Sequence, residues 1–284
     1  MNFITKTSSL QKLITPNLYR FYSSKHNLTK SSLENGVQTI TMSDTKGRNT
    51  LSVAMLEELT NRIKQHESEQ ALRAIIITAE GPVFSAGHNM RELLPEAGRE
   101  QHKLVFNNCE LLMMSIVESP VPVIARVDGV AAAAGCQLVA QCDMAVCTDV
   151  SKFSTPGANF GIFCSTPGIP IARSVKKMTA LRMLFTGLPI SAQEAKECGL
   201  VSVVCSKEDI DTELLKITSA IIQKSRSVIE LGKRFYYKQI RYDIREAYDL
   251  GSTVMVDNIN LKDGQEGIKS FVEKRKANWS HSFK

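Results

Sequence analysis

Short, mainly apolar runs alternate along this 284-residue chain with segments of helical periodicity. Residues 74–78 and 121–127 form two such runs, which are typical of strands buried in a parallel sheet. The apolar spacing within residues 52–67, and the pattern over residues 100–118, predict helices between the strands. Strands that alternate with helices predict an α/β core built from crossover units.

The last third of the chain has few strand signals. Ser191 and Glu194 have the spacing of a capping box that opens a short helix, and residues 201–205 predict a final strand. Helical patterns then follow over residues 208–224, 227–262 and 265–276. A helical region after an α/β core suits an oligomerisation element, and the pattern alone is equally consistent with helices that only cover their own core.

The first residues of the chain differ in composition from the rest. No acidic residue precedes Glu34, and basic residues, serines and threonines are interleaved with apolar residues at roughly helical spacing. This composition is typical of a mitochondrial transit peptide. We therefore expect residues 1–22 to be a targeting segment, the mature chain to begin near Ser23, and the protein to reside in the mitochondrial matrix. A disordered tail is the alternative.

Charge, hydropathy and cysteine usage weigh against several classes of function. Loss of Lys6, Lys12 and Arg20 with the targeting segment would lower the formal net charge from +6 to +3, which argues against a nucleic-acid partner. No apolar stretch is long enough to span a bilayer. The seven cysteines form no CxxC pair and have no histidine at ligand spacing, so we expect no metal site, no redox pair and a reducing compartment.

Two glycine-bearing segments directly follow the two apolar runs. Residues 81–91 follow the first run and residues 128–138 the second, so each segment is expected to bring free backbone N–H groups to one shared site. Two such donors that converge on a carbonyl oxygen form an oxyanion hole, which stabilises the enolate or tetrahedral charge of thioester chemistry. For the alanine run at 131–134, a tightly packed crossing is the alternative. Neither segment carries a carboxylate where acid–base chemistry would need one.

These two segments and the C-terminal string over residues 263–276 resemble the enoyl-CoA hydratase/isomerase (crotonase) superfamily, over residues 30–279. Shorter strings are similar to one mitochondrial subgroup of it and lie at residues 84–88, 133–140, 154–157 and 163–168. The resemblance implies an α/β fold, a ClpP-like spiral of ββα units over residues 30–205. It also implies an α-helical trimerisation region over residues 206–279 and assembly as a homotrimer or a dimer of trimers.

The resemblance further implies an acyl-CoA thioester as ligand or substrate, with no separate cofactor. The thioester carbonyl would lie between the backbone N–H groups of His88 and Ala134. Because Ala134 would open a helix, its N–H would be unpaired at the positive end of the helix dipole. Arg91 and Lys274 match basic positions that bind the phosphates and the nucleotide part of CoA, with Lys274 acting across a subunit boundary.

The chain departs from the family's pattern at both acid–base positions. By the resemblance, Gln137 and Gly157 stand where the hydratases have two facing glutamates. Glutamine can hydrogen-bond a water but does not exchange a proton near neutral pH, and glycine does neither. We therefore expect no catalytic residue at these positions and no standard hydratase activity. The imidazole of His88 is a candidate proton carrier, although a structural or solvated histidine is the commoner case.

Three functions remain open at this point. The preferred one is a mitochondrial acyl-CoA-binding protein of fatty acid metabolism. The second is a lyase, isomerase or thioesterase that uses the oxyanion hole with a substitute base, a bound anion such as bicarbonate, or a water held by Gln137. The third is an interaction protein that keeps the trimer and has lost the ligand pocket.

Overall fold

Two sheets organise the core of this protein, whose computed structural model describes residues 27–283. The expected targeting segment of residues 1–22 lies outside the described residues. The strands are β1 (Thr29–Glu34), β2 (Val37–Met42), β3 (Ala74–Ala79), β4 (Val83–Ser85), β5 (Val123–Val127), β6 (Val130–Ala132), β7 (Met144–Thr148), β8 (Lys152–Ser154), β9 (Ile190–Ser191) and β10 (Val203–Cys205).

Helices surround these sheets and form most of the C-terminal third. They are α1 (Val53–Lys64), α2 (Gly98–Glu118), α3 (Ala134–Gln141), α4 (Ser165–Ser174), α5 (Lys177–Thr186), α6 (Ala192–Cys198), α7 (Ile210–Ile222), α8 (Arg226–Gln239), α9 (Ile244–Asn260) and α10 (Lys262–Val272). Short 3₁₀ turns occur at Met90–Leu93, Pro95–Ala97 and Pro156–Phe160. Within residues 27–283, no helix is both long and apolar enough to cross a bilayer.

The larger sheet has the strand order β1-β2-β3-β5-β7-β10 and is parallel from β2 onward. Strand β1 pairs antiparallel with β2 through a two-residue turn in which Asn35 and Gly36 both have positive φ angles, as a tight hairpin requires. The side chains of β3 and β5 are mostly buried on both faces, as expected for strands covered by helices on two sides.

The smaller sheet, β4-β6-β8-β9, shows how the chain repeats itself. Each of β3, β5 and β7 in the larger sheet is followed at once by a short strand of the smaller sheet, and the next α-helix comes after that strand. Because β4, β6 and β8 are parallel neighbours, the segments that leave their C-terminal ends lie side by side. The predicted α/β core is confirmed, and this repeat of two strands and a helix brings three successive loops to one edge.

The expected single helix over residues 227–262 is wrong. The chain turns after Gln239, and Asp243 begins α9 by accepting hydrogen bonds from the N–H groups of Arg245 and Glu246 at 2.9 and 3.0 Å. An aspartate followed three residues later by glutamate is itself a helix-start signal, and the absence of proline or glycine from the turn hid the break. Local sequence patterns also did not predict strand β1, the short strands of the smaller sheet or helices α4 and α5, although the family resemblance implies ββα units.

Candidate functional site

The two glycine-bearing segments meet at the ends of β4 and β6. A Cβ atom placed on Gly87 would lie 2.9 Å from the Cβ of Ala133 and 3.2 Å from the backbone nitrogen of Ala134. A Cβ atom on Gly135 would lie 2.4 Å from the carbonyl oxygen of Ser85. The distance at Gly135 is too short for a side chain, and the distance at Gly87 is tight at a φ angle of +92°, so these two glycines allow the loops to pack directly against each other.

The backbone N–H groups of His88 and Ala134 are free at this junction. The isolated bridge between Leu51 and His88 uses the N–H of Leu51, which donates to the carbonyl of Gly87 at 2.8 Å. Ala134 is the first residue of α3, where an N–H has no acceptor inside its own helix. Within residues 27–283 neither N–H has a partner. Two free donors on adjoining loops are what an oxyanion hole requires, and this assignment stays a prediction.

Ala133 determines how the second loop enters α3. Its φ of +49° and ψ of −119° lie in a region that L-residues rarely adopt. The N–H of Ala133 donates to the carbonyl of Ser154 at 2.9 Å, which ties this strained residue to β8. A run of four alanines carries no signal of a positive φ angle, so the sequence did not single out Ala133.

Gln137 lies one turn into α3, and its side chain is buried. Its Oε1 atom has no hydrogen-bond partner among the described residues. Burial raises the pKa of the Cys109 thiol on α2 to about 12, and a hydrogen bond with Gln137 acts in the opposite direction by lowering that pKa. That contact places the Gln137 side chain against α2, with an acceptor left unpaired.

Gly157 lies in the 3₁₀ turn that follows β8, at the second glutamate position of the resemblance. A Cβ atom there would lie 2.2 Å from the carbonyl oxygen of Ile162 and 2.6 Å from Cys164 Sγ. The N–H of Gly157 donates to Cys164 Sγ at 3.3 Å, and burial raises the pKa of that thiol, which keeps it neutral. The position is therefore closed to any side chain unless the loop moves.

The imidazole of His88 is held in one orientation. Its Nδ1 lies 3.2 Å from the carbonyl oxygen of Leu51. Because a carbonyl only accepts, Nδ1 carries the proton in this bond, and Nε2 of the neutral ring is an acceptor. Nε2 is buried and has no partner among the described residues. Phe106 of α2 packs edge-on against the ring, with centroids 5.3 Å apart, and desolvation lowers the pKa of His88.

Glu92, near the first loop, carries a carboxylate that no sequence motif identifies. Its carboxylate accepts a hydrogen bond from the N–H of Val53 at 3.1 Å, at the first residue of α1. Burial raises the pKa of Glu92, against the opposing effect of that hydrogen bond. Glu92 therefore serves the start of a helix, where an anion complements the free N–H groups.

The two expected CoA-binding cations lie on different elements. Arg91 is exposed on the 3₁₀ turn after the first loop, where Asn89 Oδ1 accepts its backbone N–H at 3.1 Å. Lys274 is exposed just beyond α10 and has a φ angle of +53°. Neither side chain is paired with another group of residues 27–283. Both remain predicted phosphate ligands.

The described residues also contain no cluster of three or more His, Cys, Asp or Glu placed to hold a metal ion.

Comparison with known proteins adds independent information about the family of this chain. The sequence pattern of the family described as Enoyl-CoA hydratase/isomerase matches residues 32–282. Mouse "Enoyl-CoA hydratase domain-containing protein 3, mitochondrial" is 50% identical over 258 residues, which cover 91% of this chain and 86% of the mouse protein. The subgroup resemblance of the short strings is confirmed by this similarity.

Solved structures give the same result for the fold. The crystal structure of human enoyl coenzyme A hydratase domain-containing protein 3 has a TM-score of 0.87 and 51% identity, and the match covers 89% of this chain and 100% of the human one. An enoyl-CoA hydratase structure from Mycobacterium smegmatis has a TM-score of 0.86 and 39% identity, with coverage of 89% and 99%. The expected crotonase fold is confirmed, and the similar mouse protein is named as mitochondrial.

Proposed function

Because this chain belongs to the enoyl-CoA hydratase/isomerase family, we propose that it binds acyl-CoA thioesters in the mitochondrial matrix, acts in fatty acid metabolism and lacks standard hydratase activity. The adjoining free N–H groups of His88 and Ala134 support binding of a thioester carbonyl. One observation carries the loss of hydratase activity: Gly157 has no room for a side chain, so a second carboxylate cannot face Gln137.

Binding and hydration are tested on the purified full chain. We expect butyryl-CoA to bind by isothermal titration calorimetry, and we expect hydration of crotonyl-CoA to be no faster than with a Gly87→Ala variant. That variant is the loop-disrupted control, because the new Cβ would lie 2.9 Å from Ala133 Cβ and the φ of Gly87 is +92°. Hydration at the rate of an ordinary hydratase measured in parallel would contradict the proposal.

The third function, an interaction protein without a ligand pocket, is distinguished through Arg91. Loss of the guanidinium in an Arg91→Ala variant is expected to weaken CoA binding about tenfold, since a charge-assisted contact to phosphate is lost. Arg99→Ala is the matched control, because Arg99 is also an exposed arginine and lies at the start of α2. Absence of CoA binding by the unaltered chain would favour the interaction protein.

The proposed assembly is a homotrimer or a dimer of trimers. Its support within one chain is α9, a helix of 17 residues in which no residue is buried. Ile244, Tyr248, Met255 and Ile259 are exposed on it and share one helical face by their spacing. A second copy of this chain is the proposed occupant of that face, and Lys274 would then reach the CoA of a neighbouring subunit.

An enzyme that acts on acyl-CoA by other chemistry is the second candidate function. The observation in its favour is the imidazole of His88, which is oriented by Leu51 and whose buried Nε2 atom has no partner among the described residues.

A further inference from the structure

Among the described residues, two buried hydrogen-bond acceptors next to the free N–H groups have no donor. They are Nε2 of His88, whose Nδ1 is already committed to Leu51, and Oε1 of Gln137. Buried polar atoms in folded proteins are nearly always paired, with protein or with ordered water. Two unpaired atoms on adjoining segments, one on the first loop and one on α3, call for a shared explanation.

Helix α2 brings the two side chains together. The ring of His88 packs on Phe106, and the amide of Gln137 interacts with Cys109, three residues further along the same helix. Residues spaced by three on a helix are neighbours about 5 Å apart on one face. The imidazole and the amide therefore lie against consecutive turns of one helix face.

The backbone leads to the same placement. His88 follows Gly87, whose Cβ position would be 3.2 Å from the nitrogen of Ala134. Gln137 is three residues beyond Ala134, on the next turn of α3. Both side chains therefore start from residues beside the free N–H groups that are expected to bind the thioester oxygen.

A water molecule is the small group that satisfies two acceptors, because it donates two hydrogen bonds. We propose that His88 Nε2 and Gln137 Oε1 hold one water, and that His88 is the general base that activates it for hydrolysis of the bound acyl-CoA thioester. This inference rests on the proposed binding of acyl-CoA at the His88 and Ala134 N–H groups.

The step balances without a further reactant. The water oxygen forms a bond to the thioester carbonyl carbon, its proton passes to His88 Nε2, and the negative charge moves to the carbonyl oxygen between the two N–H groups. Collapse of this intermediate breaks the carbon–sulfur bond. The proton on Nε2 passes to the departing thiolate, so the products are a carboxylic acid and free CoA.

The chemistry of the other nearby groups favours His88 as the base. Burial raises the pKa of the thiols of Cys109 and Cys164, so neither is a thiolate near neutral pH. The amide of Gln137 orients a water but takes no proton. Desolvation lowers the pKa of His88, which keeps Nε2 free to accept one.

A His88→Asn variant separates the roles of the backbone and the ring. The asparagine amide nitrogen can replace Nδ1 as donor to the Leu51 carbonyl, and the backbone N–H is unchanged, but no base remains at the position of Nε2. Gln137→Met removes the second water ligand at nearly constant volume. His66→Asn is the matched control, since His66 pairs with Glu69 away from the site.

The assay follows release of CoA and free acid from butyryl-CoA and palmitoyl-CoA in oxygen-18 water by mass spectrometry, alongside acyl-CoA binding. For the unaltered chain we expect hydrolysis with oxygen-18 in the acid. His88→Asn should lower the rate at least about 100-fold, within the range of a lost general base, and leave binding within about threefold. Gln137→Met should lower the rate about tenfold, and His66→Asn should change nothing.

The outcomes separate the two proposals. Binding without hydrolysis of either thioester, or hydrolysis that persists in a folded His88→Asn variant, overturns the water-activating role and leaves the proposed function standing. Absence of acyl-CoA binding by the unaltered chain contradicts the proposed function, and the inference fails with it. Thermal unfolding of each variant identifies any that has lost its fold. If His88→Asn does not fold, the rate of thioester hydrolysis by the Gln137→Met variant decides whether the water-activating role stands.

Discussion

Single residues decide the chemistry available at the site, and Gly157 is the clearest case. The resemblance identifies it only as a lost glutamate, whereas the structure shows that Ile162 and Cys164 occupy the space that any side chain would need. The packing of the loop after β8 therefore leaves no space for a carboxylate at this position. Under the proposed function, restoring one carboxylate by substitution is not expected to produce a hydratase.

Substitution of Gly157 is expected to destabilise the protein without creating hydratase activity. Gly157→Ala should lower the free energy of unfolding by about 1–3 kcal/mol, since overpacking forces the backbone at Ile162 and the thiol of Cys164 to move. Gly157→Glu, alone or with Gln137→Glu, should remain inactive toward crotonyl-CoA. Chemical denaturation and a hydration assay are the measurements.

Gly232→Ala is the matched control for that substitution. Gly232 is exposed within α8, and a Cβ there meets no atom within 4 Å, so alanine should be neutral or should stabilise the helix by up to about 1 kcal/mol. Equal destabilisation by Gly157→Ala and Gly232→Ala would contradict the packing argument.

The buried ring of His88 should also make stability depend on pH. Desolvation lowers its pKa in the folded chain below the ordinary 6.5, so the unfolded chain binds this proton more tightly. The neutral His88 ring contributes its full stabilisation at a pH above the pKa that His88 has in the unfolded chain. This stabilisation is lost as the pH falls below 6.5 toward the lower pKa that His88 has in the folded chain. Thermal unfolding at about pH 7.5 and pH 5.5 measures the loss. In a His88→Asn variant this loss of thermal stability at the lower pH should be smaller. If the variant lost as much stability as the unaltered chain, His88 would not contribute to the pH dependence.

At the scale of elements, a buried polar network fixes α8 to the core. Lys233 Nζ donates to the carbonyls of Ile116 and Val121 at 2.8 and 3.0 Å and to Asp143 Oδ2 at 2.7 Å. Tyr237, one turn later on α8, donates from its hydroxyl to Asp143 Oδ1 at 2.9 Å. Desolvation lowers the pKa of Lys233, and the carboxylate of Asp143 opposes that shift. Asp143 therefore helps to keep Lys233 protonated in its buried position.

Removal of the lysine charge should strongly destabilise the protein. Lys233→Met leaves the half-buried Asp143 without its cation, which should lower the free energy of unfolding by about 3–5 kcal/mol. Tyr237→Phe should cost about 1 kcal/mol, the net value of one hydrogen bond. The exposed Lys238 on the same helix provides the control, since Lys238→Met should change stability by less than about 0.5 kcal/mol. In urea denaturation, a loss below about 1 kcal/mol for Lys233→Met would contradict this account.

Element boundaries show how far local sequence signals reach. The helix predicted at residues 52–67 appears as α1, with Ser52 as N-cap, and the capping box of Ser191 and Glu194 is present at α6. These features depend on hydrogen bonds within three or four residues, which the sequence displays directly. The turn between α8 and α9 was missed because it contains no proline or glycine, so that Asp243 and Glu246 gave the local signal for a new helix.

For the whole molecule, the C-terminal helices leave a large apolar surface uncovered. Tyr248 and Met255 of α9 are 72% and 56% exposed in the single chain. Apolar side chains that recur on one face of a surface helix are typical of an interface. Together with the assembly implied by the family resemblance, this face favours contacts between copies of the chain.

Charges placed on that face should dissociate the assembly. A Tyr248→Glu and Met255→Glu double variant is expected to elute as a monomer in size-exclusion chromatography with light scattering, whereas the unaltered chain should have the mass of a trimer or hexamer. Thr253→Glu is the control, because Thr253 is an exposed polar residue on the same helix and lies about 160° around the helix axis from Met255, at about 100° per residue. A monomeric unaltered chain would contradict the proposed assembly.

The sequence by itself determined the α/β class, the two glycine loops and the residue types at the two expected acid–base positions, because these follow from local periodicity, backbone freedom and side-chain chemistry. Only the tertiary structure decided that the loops adjoin and that Gly157 has no room for a side chain. It also decided that the His88 ring is oriented by a hydrogen bond at Nδ1 and has no partner at Nε2 among the described residues. These facts depend on contacts between residues far apart in the chain, such as Leu51 with His88 and Gly87 with Ala134. Such contacts exist only once the sheets have brought the three loops to one edge.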